Sequence, residues 1–155
     1  MSKLVVDATG NRLTYEIIGA AMAVHNALGP GYKEEVYERA LAVELQKREI
    51  SSERQVPVEV FHEDVPVALF YLDLLVEGIV VVEIKAFSHQ LTSDELAQVI
   101  NYQVINYLKA TGAPVGLLFN FGRRRLEWAR VFPSSSDGPA QRTGRDNVRR
   151  PLRRR

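Results

Sequence analysis

Three ionisable side chains sit inside the most apolar part of the chain. Residues 69–86, LFYLDLLVEGIVVVEIKA, are mostly Leu, Ile and Val, and outside a Glu77-Gly78 break only Asp73, Glu83 and Lys85 carry charge. Charged side chains are seldom fully buried unless they are paired or bound to a metal. Two carboxylates brought together can hold a hard divalent cation such as Mg²⁺ through oxygen. A lysine beside them supplies a point charge for a phosphate, or orients a water, and the set suits phosphodiester hydrolysis. Glu-x-Lys by itself is also an ordinary ion pair on a half-exposed strand face. The apolar surroundings, together with Asp73, weigh against that plainer reading.

Other side chains can join this group. Gln98 and Tyr102 are four apart, on one face of a helix, where both can hydrogen-bond a substrate or orient Lys85. Glu34 lies three residues before Tyr37 and so on the apolar side of its helix, where it could add a third carboxylate. Stabilisation of the helix's first turn is the alternative. Glu35, Glu38 and Arg39 are expected to face water. His25 stands at the edge of an apolar stripe, either as a core histidine or as an accessory to the site. Arg123-Arg124-Arg125 can touch phosphates or form a solvated turn. Phosphate loops of the P-loop and Rossmann kinds, the Gly-x-Ser-x-Gly turn and His-x-x-x-His spacing are absent from the sequence.

The elements that must position these residues follow from periodicity. Leu13, Ile17, Ala21, Val24 and Leu28 recur at helical spacing, with Asn11 or Thr14 as cap and Gly29-Pro30-Gly31 as stop. A second helix is expected over about 33–48. Residues 54–62 alternate like a strand, with Pro57 favouring a sheet edge or bulge. The apolar stretch then reads as a hairpin of two buried strands. Thr92-Ser93-Asp94-Glu95 is a capping box that opens a third helix, about 93–110, stopped by Gly112. Strands over 115–121 and 126–132 complete the order α-α-β-β-β-α-β-β, a mixed sheet flanked by helices, and the chain reads as free of internal repeats. The strands either side of the third helix should be parallel.

The hairpin carries a condition. Glu83 and Lys85, two apart on a strand, share a face. A two-residue turn at Glu77-Gly78 would set Asp73 opposite Val82 and aim it to the other face, because a one-residue slip flips every side chain. A common site therefore requires an odd-length loop or a β-bulge between Asp73 and Glu83.

Composition sets outer bounds. The chain has 155 residues, 46% of them hydrophobic, which suits one globular domain. There is no cysteine, which excludes disulfides and thiolate metal sites. No run is long and apolar enough to span a membrane. The first residues, MSKLVVDATGNR, lack the apolar core of a signal peptide, so a cytoplasmic location is the default expectation. From Ser134 onward seven Arg stand against two Asp, +5, which leaves residues 1–133 at −4 within the net +1. The expected division is a domain over 1–132 and a basic, disordered tail over 133–155. The tail could attract phosphate, although an acidic body is unusual for a tight nucleic-acid binder.

Several segments together resemble a known family. They are Val24-His25 with Leu28-Gly29-Pro30-Gly31, Gly31-x-x-Glu34-x-x-Tyr37, Asp73 with Glu83-x-Lys85, Gln98-x-x-x-Tyr102, and Gly116-Leu117-Leu118-x-Asn120-Phe121-Gly122. In this order they resemble the GxxExxY protein family, which is grouped with the PD-(D/E)XK nuclease superfamily, over about residues 12–132. The resemblance implies a restriction-endonuclease-like α/β core and a nuclease that uses Mg²⁺ or Mn²⁺ and acts on nucleic acid, DNA rather than RNA. It implies catalytic positions at Asp73, Glu83 and Lys85, with Gln98 and Tyr102 orienting Lys85 or the strand. Metal ligation would fall to Asp73, Glu83, Glu34 and the Ile84 carbonyl, with His25 and Tyr37 as possible accessories. One departure is that Leu72, not Pro, precedes Asp73. A non-catalytic nucleic-acid-binding or assembly module on the same fold is the alternative.

Overall fold

The computed structural model describes residues 11–99 and 103–133. The basic tail from Ser134 onward and Tyr102 lie outside them. The elements are α1 (Asn11–Leu28), α2 (Glu34–Lys47), β1 (Ser52–His62), β2 (Val65–Val76), β3 (Val80–Lys85), α3 (Ser93–Val99), α4 (Ile105–Thr111), β4 (Val115–Asn120) and β5 (Glu127–Val131). The strands form one sheet in the order β1-β2-β3-β4-β5, with β3 and β4 parallel and every other pair antiparallel. The mixed sheet flanked by helices and the parallel β3–β4 crossover are those expected. Pro57 lies on β1, an edge strand, where its missing N–H costs no ladder bond.

Local signals account for most boundaries. Thr92 Oγ1 accepts the Glu95 N–H at 3.1 Å while Glu95 Oε1 accepts the Thr92 N–H at 2.9 Å, so the capping box starts α3. Gly112, with φ of 74°, closes α4 by donating its N–H to the Leu108 carbonyl. Two expectations change. Helix α1 starts at Asn11, so Thr14 lies inside it as a fully buried side chain, and its hydroxyl accepts from Arg130 Nε at 3.0 Å. The single helix over 93–110 is described as two segments, and residues 103 and 104 wind with the wider π-type turn before α4.

The sheet is covered on both faces. Helices α1 and α2 pack Leu13, Ile17, Leu41 and Leu45 against Val80, Val82, Ile84 and Phe119. The second core gathers Val99, Val104 and Leu108 over Val81 and Leu118. Strand β3 thus sends its even positions to the first core and Val81 to the second. Alternation puts Glu83 and Lys85 on the Val81 face, at the strand's C-terminal end.

That end is held by close backbone contact. The Phe121 N–H donates to the Lys85 carbonyl at 2.8 Å. Buried Asn120 uses Oδ1 to accept the Phe87 and Gly122 N–H groups and Nδ2 to donate to Glu127 Oε1. A Cβ on Gly122 would stand 2.4 Å from the Phe87 carbonyl oxygen, against backbone that cannot swing aside. Gly122→Ala is therefore expected to destabilise the fold by about 1–3 kcal/mol, read as a lower urea midpoint. An unchanged midpoint would show that the β3 and β4 exits are not held in contact.

Candidate active site

Glu77 and Gly78 have φ of 54° and 68°, and Ile79 donates its N–H to the Val76 carbonyl at 2.9 Å. That is a tight turn with both central residues left-handed, the kind that suits the twist of a hairpin. Val76 nevertheless pairs with Val80, followed by Leu75 with Val81 and Leu74 with Val82. Ile79 is thus an extra residue between the turn and the ladder, and it shifts the register by one. The connection is of the odd length that a shared face requires, and Asp73 comes opposite Glu83.

A second irregularity lies at Asp73 itself. Along a regular strand Leu72, Leu74 and Val76 would share a face. Leu74 and Val76 belong to the α1–α2 core, whereas Leu72 belongs to the α3–α4 core. On β1, Arg54 pairs with Leu74 and Val56 with Leu72, while Gln55 between them has φ of 53°. The β1–β2 ribbon turns over at Gln55 and Asp73. Backbone pairing of β2 with β3 stops at Leu74 and Val82, and Asp73 Oδ2 accepts the Ile84 N–H at 2.7 Å. A residue's N–H and C=O point to the same side of a strand, so the Ile84 carbonyl faces this gap as well, while its side chain is buried in the first core.

The charges at the gap are mostly out of water. Glu83 Oε2 lies 3.4 Å from Lys85 Nζ, with 8% and 14% of the two side chains exposed. Glu83 Oε1 is buried and has no hydrogen-bond partner. Burial pushes the Glu83 carboxyl up to about 8, and Asp73 pushes the same way against the pull of Lys85. Burial also raises Asp73 to about 6, opposed by the Ile84 N–H and aided by Glu38 and Glu34. A buried, unpartnered carboxylate oxygen beside a second carboxylate fits a hard divalent cation, which would satisfy that oxygen and displace the proton. Among the described residues, no three His, Asp or Glu side chains gather into a complete cation site.

Glu34 and Glu38 of α2 are exchanged relative to expectation. Glu34 is exposed in the first turn, and Glu38 is buried with Tyr37, Leu41 and Leu45. Glu38 can be inside because Gln55 Nε2 donates to its two oxygens at 2.9 and 2.8 Å and Arg54 Nη2 lies 3.4 Å away. Of the two, Glu38 acts more strongly on Asp73. Tyr37 donates to the Gly29 carbonyl at 2.6 Å and stacks on Phe121, which fastens the Gly29–Gly31 loop. His25 Nε2 bonds the Arg123 carbonyl oxygen at 2.8 Å. Gln98 is exposed on α3.

Tyr107 was not anticipated. It is half-buried on α4, its hydroxyl donates to the Tyr71 carbonyl at 3.5 Å, and its pKa is pushed up to about 12 by burial and then by Glu83 and Asp73. A sequence signal for it exists. Residues 98–107 read QVINYQVINY, a perfect tandem repeat, so the reading of an unrepeated chain is corrected, and Tyr107 is the counterpart of Tyr102.

Comparison with protein families matches residues 11–131 to the model of the PD-(D/E)XK nuclease superfamily. No curated protein and no solved structure matches the chain.

Both carboxyl groups hold their protons more tightly folded than unfolded. Their favourable contribution is complete below the ordinary carboxylate range and is lost as pH rises through about 6 for Asp73 and about 8 for Glu83. In EDTA the urea midpoint should fall between roughly pH 5 and pH 8, and Mn²⁺ should restore it more at the upper end. Glu83→Gln should flatten the upper part of the profile. A flat wild-type profile, or an unaltered slope in the variant, would contradict the assigned burial of the pair.

Proposed function

The chain belongs to the PD-(D/E)XK nuclease superfamily, and on that premise we propose that Asp73, Glu83 and Lys85 form the catalytic centre of a metal-dependent nuclease hydrolysing phosphodiester bonds, DNA in preference to RNA. We also read it as a GxxExxY-type member, on the segments that resemble that family; the preference for DNA rests on that resemblance. The observation that carries the proposal is Glu83 Oε1, a buried carboxylate oxygen with no partner beside a second raised carboxylate and a lysine.

Asp73, Glu83 and the Ile84 carbonyl would hold Mg²⁺ or Mn²⁺, with Glu34 reaching in from the exposed first turn of α2. The bound cation would polarise the phosphoryl oxygen and ease formation of the nucleophile. Lys85 opposes the protonation of Glu83 and holds its ammonium beside it, where it orients a water and stabilises charge on phosphorus. Asp73 is fixed by the Ile84 N–H, so its carboxylate keeps one orientation. Gln98 and Tyr102 stay in the reading as residues that orient the strand. Beyond the ends of β3 and β4, an open cavity of about 590 Å³ is lined by Pro30, Ser88, Gly122, Arg123, Arg124 and Arg125. Its guanidinium groups suit the backbone phosphates of a strand leading to Lys85.

The test is cleavage of single- and double-stranded DNA and RNA with Mg²⁺ or Mn²⁺. Wild type should cut only with the cation, and Lys85→Ala and Glu83→Gln should each lose about 100-fold or more in rate. Wild type that cuts none of the substrates would favour the second reading, a non-catalytic nucleic-acid-binding or assembly module, and the −4 charge of residues 1–133 suits the assembly role.

A further inference from the structure

Strand pairing carries the face of the candidate site sideways across the sheet. Glu83 and Lys85 on β3 lie opposite Leu118 and Asn120 on β4, and these lie opposite Ala129 and Glu127 on β5. Residues directly opposite one another share a face, and Leu118 belongs to the α3–α4 core, as Val81 does. Neighbouring strands run about 4.8 Å apart, so the Asn120 backbone stands about 5 Å and the Glu127 backbone about 10 Å from that of Lys85. That is the reach from a backbone phosphate, across its sugar, to its base.

A cavity of about 170 Å³ lies at these positions, between Leu118, Ala129 and Glu127 of the sheet and Gln90, Leu91 and Leu96 from the entry to α3. The entry is held in place. The reciprocal Thr92–Glu95 bonds close it, and His89 Nε2 lies 2.9 Å from Glu95 Oε2. The cavity is thus largely formed before any ligand arrives, as small-molecule sites are.

Its chemistry suits a base and not a phosphate. Among the described residues that line it, Glu127 alone is charged, and it is an anion. The guanidinium groups of 123–125 line the other cavity, beyond the strand ends. Phosphates and bases would therefore part to opposite sides of Glu127. Glu127 Oε1 accepts from Asn120 Nδ2 at 2.8 Å and Oε2 from Arg123 Nη1 at 3.3 Å. Each oxygen keeps a further lone pair, and a carboxylate accepts well from the exocyclic amino group of cytosine. Size narrows the choice. An apolar cavity of roughly 150 Å³ takes one benzene ring, so this one has room for a single six-membered ring and is tight for a fused purine.

We propose that this cavity takes the pyrimidine base, cytosine foremost, of an unpaired nucleotide whose phosphate lies at Lys85. The base stacks between Leu91 or Leu96 and Leu118, and its amino group donates to Glu127. A base can enter only when unstacked and unpaired, so the favoured substrate is a single strand or a frayed end. The role in cleavage rests on the nuclease reading; the affinity of the cavity for a pyrimidine is measured without cleavage.

The direct test is a methyl NMR titration of the full chain with Mg²⁺ and dCMP, dAMP or deoxyribose 5-phosphate. Saturating dCMP should move the Leu91, Leu96 and Leu118 methyl signals, and dAMP should bind about tenfold or more weakly. Ala129→Leu, which fills the cavity from the sheet, should abolish the dCMP shifts while the variant still unfolds cooperatively. Leu96→Phe, which narrows it from α3, should do the same. Cuts mapped in single-stranded DNA of mixed sequence should show a pyrimidine at one fixed position beside the break, about tenfold over purine, and either variant should erase that preference. Unmoved methyl signals, equal shifts with deoxyribose 5-phosphate, or cuts indifferent to the neighbouring base would overturn the proposal. A protein that cuts nothing, yet whose methyl signals follow dCMP and not dAMP, loses the nuclease reading and keeps the pyrimidine site.

Discussion

The hydrogen bond from the Ile84 N–H to Asp73 Oδ2 is the interaction on which the candidate site depends. In an uninterrupted antiparallel ladder, a backbone carbonyl of β2 would take such an N–H. Here the ladder has stopped, and a carboxylate accepts in its place. A bond to an ionised acceptor is shorter and stronger than one between neutral groups, so the end of the pairing is not left unsatisfied. The exchange turns the edge of a hairpin into a fixed carboxylate beside Glu83. It requires the extra residue Ile79 on one side and the overturned ribbon at Gln55 and Asp73 on the other. Without Ile79, Asp73 would point through the sheet to the opposite core.

Among the described residues two glutamates are buried, and the contrast between them separates structure from chemistry. Glu38 receives two bonds from Gln55 and lies beside Arg54, so its burial is compensated and it ties α2 to β1. Glu83 has Lys85 at one oxygen and nothing at the other. A fold selected only for stability would fill that position with a partner or an apolar side chain. An unsatisfied group at the end of a well-packed central strand is instead where local consistency is expected to give way to function.

Much of this was legible in the sequence, for identifiable reasons. Strand parity is rigid, so the order of Asp73, Glu83 and Lys85 and the break at Glu77-Gly78 implied an irregular connection before any coordinates. The start of α3 and the end of α4 followed capping residues with local chemistry of their own. The inner face of α2 was misjudged because periodicity counts apolar residues, and Glu38 is polar yet compensated from β1, which lies outside any window on the helix. The left-handed Gln55 was illegible for the same reason: its backbone is set by the turning of two strands, not by its neighbours. The Gln-Val-Ile-Asn-Tyr repeat was legible and overlooked, since ten residues of helical composition read as ordinary periodicity.

Lys85 is coupled to the basic turn more closely than chain distance suggests. Its carbonyl accepts the Phe121 N–H, and Asn120, its partner on β4, binds the backbone of Phe87 and Gly122 on both exits. Arg123 follows at once, and its carbonyl is held in turn by His25. His25 and Tyr37 therefore act through the backbone. Tyr37 stacks on Phe121 and fastens the Gly29–Gly31 loop, so α1 and α2 brace the same strand end from beneath. The residues that looked like accessory chemistry in the sequence index the arginine turn to Lys85. A substrate strand lying along that turn would meet Lys85 at a distance set by backbone hydrogen bonds instead of flexible side chains, as preorganised catalysis requires.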